Sequence, residues 1–142
     1  MLGKYISKII PNVVCIPRHI FDILKDDWNS LDNIITSKLK ENDVIINCSG
    51  LIPQKRDESN IKEYIKINTL FPFKLSEIAS KYKYNLIHIT TDCVFDGSKG
   101  LYDINDLHTS NTVYGITKSL GELSNDTVIR TSIIGEDKDS NK

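Results

Sequence analysis

A chain of 142 residues has room for one domain, and at that length folding buries about 68–70% of the unfolded surface, enough for a real core. Its 39% hydrophobic and 26% charged residues are the balance of a soluble globular protein, and the net charge of −1 comes without a basic or acidic run. That argues against nucleic-acid or membrane-surface binding through bulk charge; no apolar stretch approaches membrane-spanning length, and the N-terminus shows no signal-peptide pattern.

Leu2, Ile6, Ile9 and Ile10 are spaced for a short amphipathic helix. Asn12 to Ile16 is predicted as a strand ended by Pro17, and Phe21-Asp22-Ile23 as a very short one. Trp28, Leu31, Ile34, Ile35 and Leu39 have helical spacing, with Asp26 or Asp27 as the cap. Asp43 to Cys48 is a continuous apolar strand of the kind buried on both faces of a parallel sheet. A polar loop follows from Ser49 to Ser59. A long helix then runs from about Asn60 to Tyr82, with a kink expected at Pro72. Asn85 to Thr90 is the next buried strand, Asp92 to Asn111 a loop-rich segment, Thr112 to Leu123 a helix and Thr127 to Thr131 a strand. Residues 1–135 form the expected domain; 136–142 read as a charged, disordered tail. Strands alternating with helices at this spacing predict an α/β domain with a parallel sheet.

Cys15, Cys48 and Cys93 are odd in number and lie in apolar strand-like surroundings, which predicts free thiols in a reducing compartment such as the cytoplasm. None has metal-ligand spacing with another Cys or His, so no metal site is expected. His19, His88 and His108 are scattered and read as structural or surface residues.

Tyr114 and Lys118 stand four apart in Val113-Tyr114-Gly115-Ile116-Thr117-Lys118, one helical turn, which puts a phenol and an ammonium on one face. A cation there favours the phenolate and is expected to lower the tyrosine from its ordinary pKa of about 10. Such a group can give and retake a proton near neutral pH. The pair alone is a weak signal; an exposed lysine beside a half-buried tyrosine is its bland reading. Its surroundings strengthen it. Ligands bind parallel sheets at the carboxyl ends of strands, and three polar clusters sit at such ends: Asn47-Cys48-Ser49-Gly50, Thr90-Thr91-Asp92 and Arg130-Thr131-Ser132.

Those motifs, with Ile67-Asn68-Thr69-Leu70-Phe71-Pro72, the Thr91 to Gly97 segment and Gly121-Glu122, resemble the extended short-chain dehydrogenase/reductases, specifically the dTDP-4-dehydrorhamnose reductase-like sugar-nucleotide reductases. The resemblance implies a Rossmann-like doubly wound parallel sheet and NADPH- or NADH-dependent reduction of a nucleotide-activated 4-keto-6-deoxy sugar. It assigns Tyr114 as general acid, Lys118 to the nicotinamide ribose and to lowering the Tyr114 pKa, and Thr91 to the carbonyl oxygen. Cys48, Ser49 and Gly50 would line the cofactor. Arg18 would pair with a 2′-phosphate or stand as a solvated loop arginine. Asp22 and Ile23 would flank the adenine, although for Asp22 alone a turn or cap residue is the better reading. Asn68 would support the site through its amide or satisfy carbonyls freed by Pro72. Gly3 matches only the third glycine of the family's phosphate-binding loop. The resemblance also implies that the first strand and the C-terminal substrate domain are lacking, so that the strands at 12–16 and 43–48 either pair directly or expose open edges. It allows a homodimer. A non-catalytic binding module derived from the same family is the alternative; a dehydratase or epimerase is disfavoured, because only Asp92 stands where the dehydratases carry an acidic pair.

Overall fold

The computed structural model describes residues 2–122 and 126–132. The expected tail at 136–142 and the last residue of the predicted helix, Leu123, lie outside them. Three strands, β1 (Val44–Asn47), β2 (Asn85–Thr91) and β3 (Thr127–Thr131), form one parallel sheet in the order β1-β2-β3. Val44 pairs with Asn85 and Asn47 with His88; Ile87 pairs with Thr127 and Thr91 with Thr131. Parallel neighbours need a crossover. Between β1 and β2 it is a continuous helical run: α3 (Ile61–Tyr64), a π-helical stretch (Ile65–Leu70) and α4 (Phe71–Tyr82). Between β2 and β3 it includes α5 (Val113–Leu120), and α1 (Leu2–Ile9) and α2 (Asn29–Thr36) precede the sheet. This is the α/β arrangement with a parallel sheet that the alternating pattern predicts, and it agrees with the Rossmann-like fold that the resemblance implies.

Two expected strands are absent. Residues 12–16 join no ladder, and Val13, Val14 and Ile16 are exposed. Apolar β-branched residues favour extended backbone, but a strand needs a hydrogen-bonding neighbour, and among the described residues this segment has none. It does not pair with β1, whose outer edge stays open. Phe21-Asp22-Ile23 enters a turn instead. The Asp22 carboxylate accepts from the Leu24 N–H at 3.0 Å, and its carbonyl accepts from Lys25 and Asp26; this local bonding competes with any ladder. β1 also ends at Asn47, one residue short of Cys48.

The core forms where α2 and α4 meet β2. Phe21, Leu31, Ile35, Phe71, Leu75, Ile78, Ala79 and Leu86 are all buried together. Phe71 stacks on Phe21 with centroids 6.2 Å apart and meets the edge of Trp28 at 5.6 Å. At the start of α2 the Asp27 carboxylate accepts the Asn29 N–H at 3.0 Å, so Asp27 rather than Asp26 closes the turn.

Pro72 does not break the long helix. It lacks the N–H that would bond the Asn68 carbonyl in α register, and the helix answers by widening to the π form just ahead of it, with the Phe71 N–H reaching back to the Lys66 carbonyl. The Asn68 carbonyl then faces Gly121, at the end of α5, so closely that a Cβ on Gly121 would collide with it. Backbone cannot yield as a flexible side chain can. Gly121→Ala is therefore expected to destabilise the fold by about 1–3 kcal/mol, read as a lower urea midpoint at an unchanged slope. An unaltered midpoint would mean that α5 does not approach the π stretch this closely.

Candidate functional site

α5 is fixed first by its cap. Thr112 is extended, and its hydroxyl accepts the Gly115 N–H at 3.0 Å. The Glu58 carboxylate, from the loop after β1, accepts the Tyr114 N–H at 2.9 Å. Gly115 lies against Ser110 and the Cys93 carbonyl with no room for a Cβ, which holds the helix start against the end of β2. Asn68, 1% exposed, holds the other side. Its Oδ1 accepts the Leu51 N–H at 2.8 Å, and its Nδ2 donates to the Leu51 carbonyl at 3.0 Å and to Thr117 Oγ1 at 3.2 Å. Of the two roles open for Asn68, the amide thus binds the loop and α5 rather than a carbonyl of its own helix.

Thr91 ends β2 and is buried. Its hydroxyl accepts the Cys93 N–H at 3.2 Å and donates to Asp92 Oδ1 at 3.3 Å. Thr90, its neighbour, has a buried hydroxyl without a partner. Tyr114 is half-buried, and burial pushes its phenol above the ordinary value; the Thr91 hydroxyl counters this, and Cys93 and Asp92 add to it. The expected lowering by Lys118 is overturned. The Lys118 Nζ turns away to the Ile89 carbonyl, 3.0 Å off. Shared position on a helix face does not fix where a four-carbon side chain ends. Burial in turn lowers Lys118 to about 8, with the Glu122 carboxylate opposing.

A Cβ on Gly50 would stand 3.8 Å from both Lys118 Nζ and Asn68 Oδ1, so the loop backbone passes over the lysine at close range. Ser49 is held by Asn47, whose Oδ1 accepts from its N–H at 3.0 Å and its hydroxyl at 2.6 Å. That fixes the Asn47 amide, leaving Nδ2 to donate to His88 Nδ1 at 3.0 Å. His88 therefore carries its proton on Nε2, which is buried and unpartnered. Burial, then the nearby Lys118 charge, depresses its pKa to about 4, so it stays neutral. Burial also raises the half-buried Cys48 thiol. On α1, a Cβ on Gly3 would lie 3.4 Å from Cys48 Cβ, so these two residues are neighbours.

The structure thus gathers Gly50, Asn68, Thr91, Tyr114 and Lys118 at the carboxyl end of the sheet. Arg18, Asp22 and Ile23 form a separate turn. Arg18 is largely exposed and bonds Asp22 at 2.9 Å, holding that carboxyl below its usual range; the Ile23 carbonyl accepts the Trp28 indole N–H at 2.9 Å. Glu58 and His88 adjoin the gathered residues although no sequence signal singled them out; Asn47 and Thr117 stood in the strand-end cluster and the Tyr-Lys motif without a role of their own. Thr112 carried a sequence signal, a hydroxyl directly before the apolar run. No His/Cys/Asp/Glu cluster suited to a metal occurs among the described residues.

The sequence model of the family described as RmlD substrate binding domain matches residues 7–141. A dTDP-4-dehydrorhamnose reductase of Aggregatibacter actinomycetemcomitans is 29% identical over 131 residues, covering 85% of this chain and 42% of its own length. Among solved structures, a dTDP-4-dehydrorhamnose reductase ortholog from Clostridium acetobutylicum aligns with a TM-score of 0.77 at 28% identity, over 92% of this chain and 49% of that one. The Bacillus anthracis dTDP-4-dehydrorhamnose reductase, solved in complex with NADP, aligns at 0.79 with 20% identity, over 91% of this chain and 49% of that one, which shows the shared fold. The chain spans less than half the length of these relatives.

Lys118 titrates in the folded protein near 8, against an ordinary 10.5. The unfolded chain keeps the proton longer, so the penalty for burying the charge is fully present below about pH 8 and fades as the pH rises toward 10.5. Lys118→Met is expected to stabilise the protein at pH 7 by on the order of 2 kcal/mol, a margin that narrows across that window. Urea unfolding at pH 7 and pH 10 measures it; a margin that is absent, or constant with pH, refutes the assignment.

Proposed function

This chain belongs to the RmlD substrate binding domain family, and on that premise we propose that it carries the proton-donating and cofactor-facing part of an NAD(P)H-dependent nucleotide-sugar 4-ketoreductase. The substrate class is a nucleotide-activated 4-keto-6-deoxy sugar, the dTDP-4-dehydrorhamnose type. The observation that supports the reading is the meeting of Thr91, Tyr114, Lys118, Asn68 and Gly50 at one end of the sheet.

A nicotinamide cofactor suits these residues on its ribose side. Lys118 uses one N–H on Ile89 and keeps two to offer beside Gly50, which brings no side chain there. Ser49 and Cys48 continue that wall, and Gly3 adjoins Cys48. Arg18 would have to release Asp22 to meet a 2′-phosphate, so the reading admits both NADPH and NADH. When bound, the cofactor supplies a hydride for the C4 carbonyl carbon.

The residues of this chain handle the oxygen. Tyr114, with its pKa raised by burial, holds its proton at neutral pH and can release it to an oxygen gaining negative charge. Thr91, once its hydroxyl proton leaves Asp92, can bond the same oxygen and steady that charge. Lys118, still largely charged at pH 7, adds positive potential from behind the loop. Among the described residues no helix is long and apolar enough to cross a membrane. With three free thiols, that is consistent with the cytoplasmic setting in which we place the reaction.

A second reading, a binding module without turnover, takes its support from the engagement of Lys118 with the sheet. Tyr114→Phe separates the two. A reductase should lose about 10²–10⁴-fold in kcat while keeping its melting temperature and its affinity for NADPH. NADPH at about 100 times its Kd should raise the melting temperature of both proteins by several degrees. No shift with either cofactor, or equal turnover by Tyr114→Phe, would defeat the ketoreductase reading.

A further inference from the structure

We propose that Glu58 is a positioning residue for Tyr114: its carboxylate ties the loop after β1 to the first turn of α5 and so sets where the phenol stands. The proposal rests on the ketoreductase reading only in taking Tyr114 as the proton donor.

The first N–H groups of a helix have no partner within it. In α5 the Gly115 N–H is met locally by Thr112. The Tyr114 N–H is met from 56 residues away, by Glu58 Oε1 at 2.9 Å. A carboxylate at a helix N-terminus also faces the positive end of the helix dipole, and its hydrogen bond is of the stronger, charge-assisted kind. The carboxylate is not drawn elsewhere. The neighbouring cation, Arg56, turns to Glu63 at 2.7 Å, and among the described residues no lysine or arginine pairs with Glu58.

Glu58 is also held in place. Tyr64, fully buried, donates its hydroxyl to the Arg56 carbonyl at 2.7 Å. The Asp57 carboxylate accepts the Ser59 N–H at 2.7 Å. At the other end of the loop both backbone groups of Leu51 are taken by Asn68. One loop therefore touches both members of the Tyr-Lys pair, with Gly50 beside the Lys118 ammonium and Glu58 on the Tyr114 backbone.

The test uses the full chain with Glu58→Ala and Glu58→Gln. Alanine removes the acceptor; glutamine keeps a carbonyl oxygen at the same reach. Hydrogen exchange at the Tyr114 amide, followed by NMR, should quicken by about tenfold in Glu58→Ala and stay near wild type in Glu58→Gln, with the amides of β2 unchanged in both. Turnover with NADPH and a nucleotide-activated 4-keto sugar should show kcat down about tenfold in Glu58→Ala, KM for NADPH within about twofold, and recovery in Glu58→Gln. The proposal is overturned if the Tyr114 amide exchanges alike in wild type and Glu58→Ala, if β2 amides quicken to the same extent, or if Glu58→Gln falls as far as Glu58→Ala. Should the wild-type chain not turn over, the ketoreductase reading fails by itself. The exchange comparison then decides the placement of Glu58: local quickening upholds it, and none overturns it.

Discussion

The Asn68 amide is the joint on which the site depends. A primary amide offers the same donor and acceptor as a peptide group, and here it pairs with both backbone groups of Leu51 as a neighbouring strand would. The loop leaving β1 has no ladder at that point, so without Asn68 a half-buried N–H and C=O would lack partners, at a cost of about 1–3 kcal/mol for each group left unmet. The second proton of the same amide reaches Thr117 in α5. Thr69, next in the chain, donates its hydroxyl to the Thr117 carbonyl at 2.8 Å. Two adjacent residues of the π-helical stretch thus hold the helix that carries Tyr114 and Lys118. The widened turn gives a reason for their placement: without the Pro72 N–H, the helix opens at the residues that must reach sideways.

The polar groups around this joint are not arranged for stability. Among the described residues Lys118 is buried as a cation with one hydrogen bond, the His88 Nε2 proton and the Thr90 hydroxyl have no partner, and Tyr114 sits half out of water. Elsewhere the protein follows ordinary rules. Its apolar side chains collect between α2, α4 and β2, and its surface charges pair in solvent, as Lys83 does with Glu41. Asp32 and Asp126 also keep a buried carboxylate oxygen without a hydrogen bond, but the unmet groups around the Tyr-Lys pair gather at one end of a parallel sheet, the pattern of a chemical site, where local optimisation gives way to the placement of reactive groups.

Much of this was legible in the sequence, for identifiable reasons. β2 lies where its apolar run placed it, with alternate residues buried, and β3 lies over the residues expected although none of them is fully buried. The helix of Tyr114 and Lys118 was legible from its spacing, while its Thr112 cap emerged only in the structure. Val13 to Ile16 was not, since composition reports a preference for extended backbone and says nothing about a neighbour to bond. Asp22 read both as a strand residue and as a turn residue, and local hydrogen bonding decided for the turn. Glu58 was invisible because its partner lies 56 residues away, and a single glutamate in a polar loop has no pattern. The direction of the Tyr114 shift failed for another reason. Spacing places two Cβ atoms on one face, whereas the pKa depends on where the lysine ends and how much water remains around the phenol.

That failure shows how the pair is built. The Tyr114 phenol lies near enough to the Thr91 hydroxyl to be influenced by it, and Lys118 bonds the carbonyl of Ile89. Four residues of helix rise about 6 Å, and two residues of strand extend about 6.6 Å. The helix runs opposite to the strand, so the Tyr114–Thr91 and Lys118–Ile89 contacts fall in step. The Tyr-x-x-x-Lys spacing is therefore the spacing at which one helix face matches alternate positions of the strand beneath it, whether or not phenol and ammonium touch. A shift of α5 by one residue would turn both side chains about 100° from the strand and lose both contacts together. That explains why α5 is gripped so closely, by Thr112 and Glu58 at its start, by Asn68 and Thr69 at its middle and by Gly121 against the π stretch at its end.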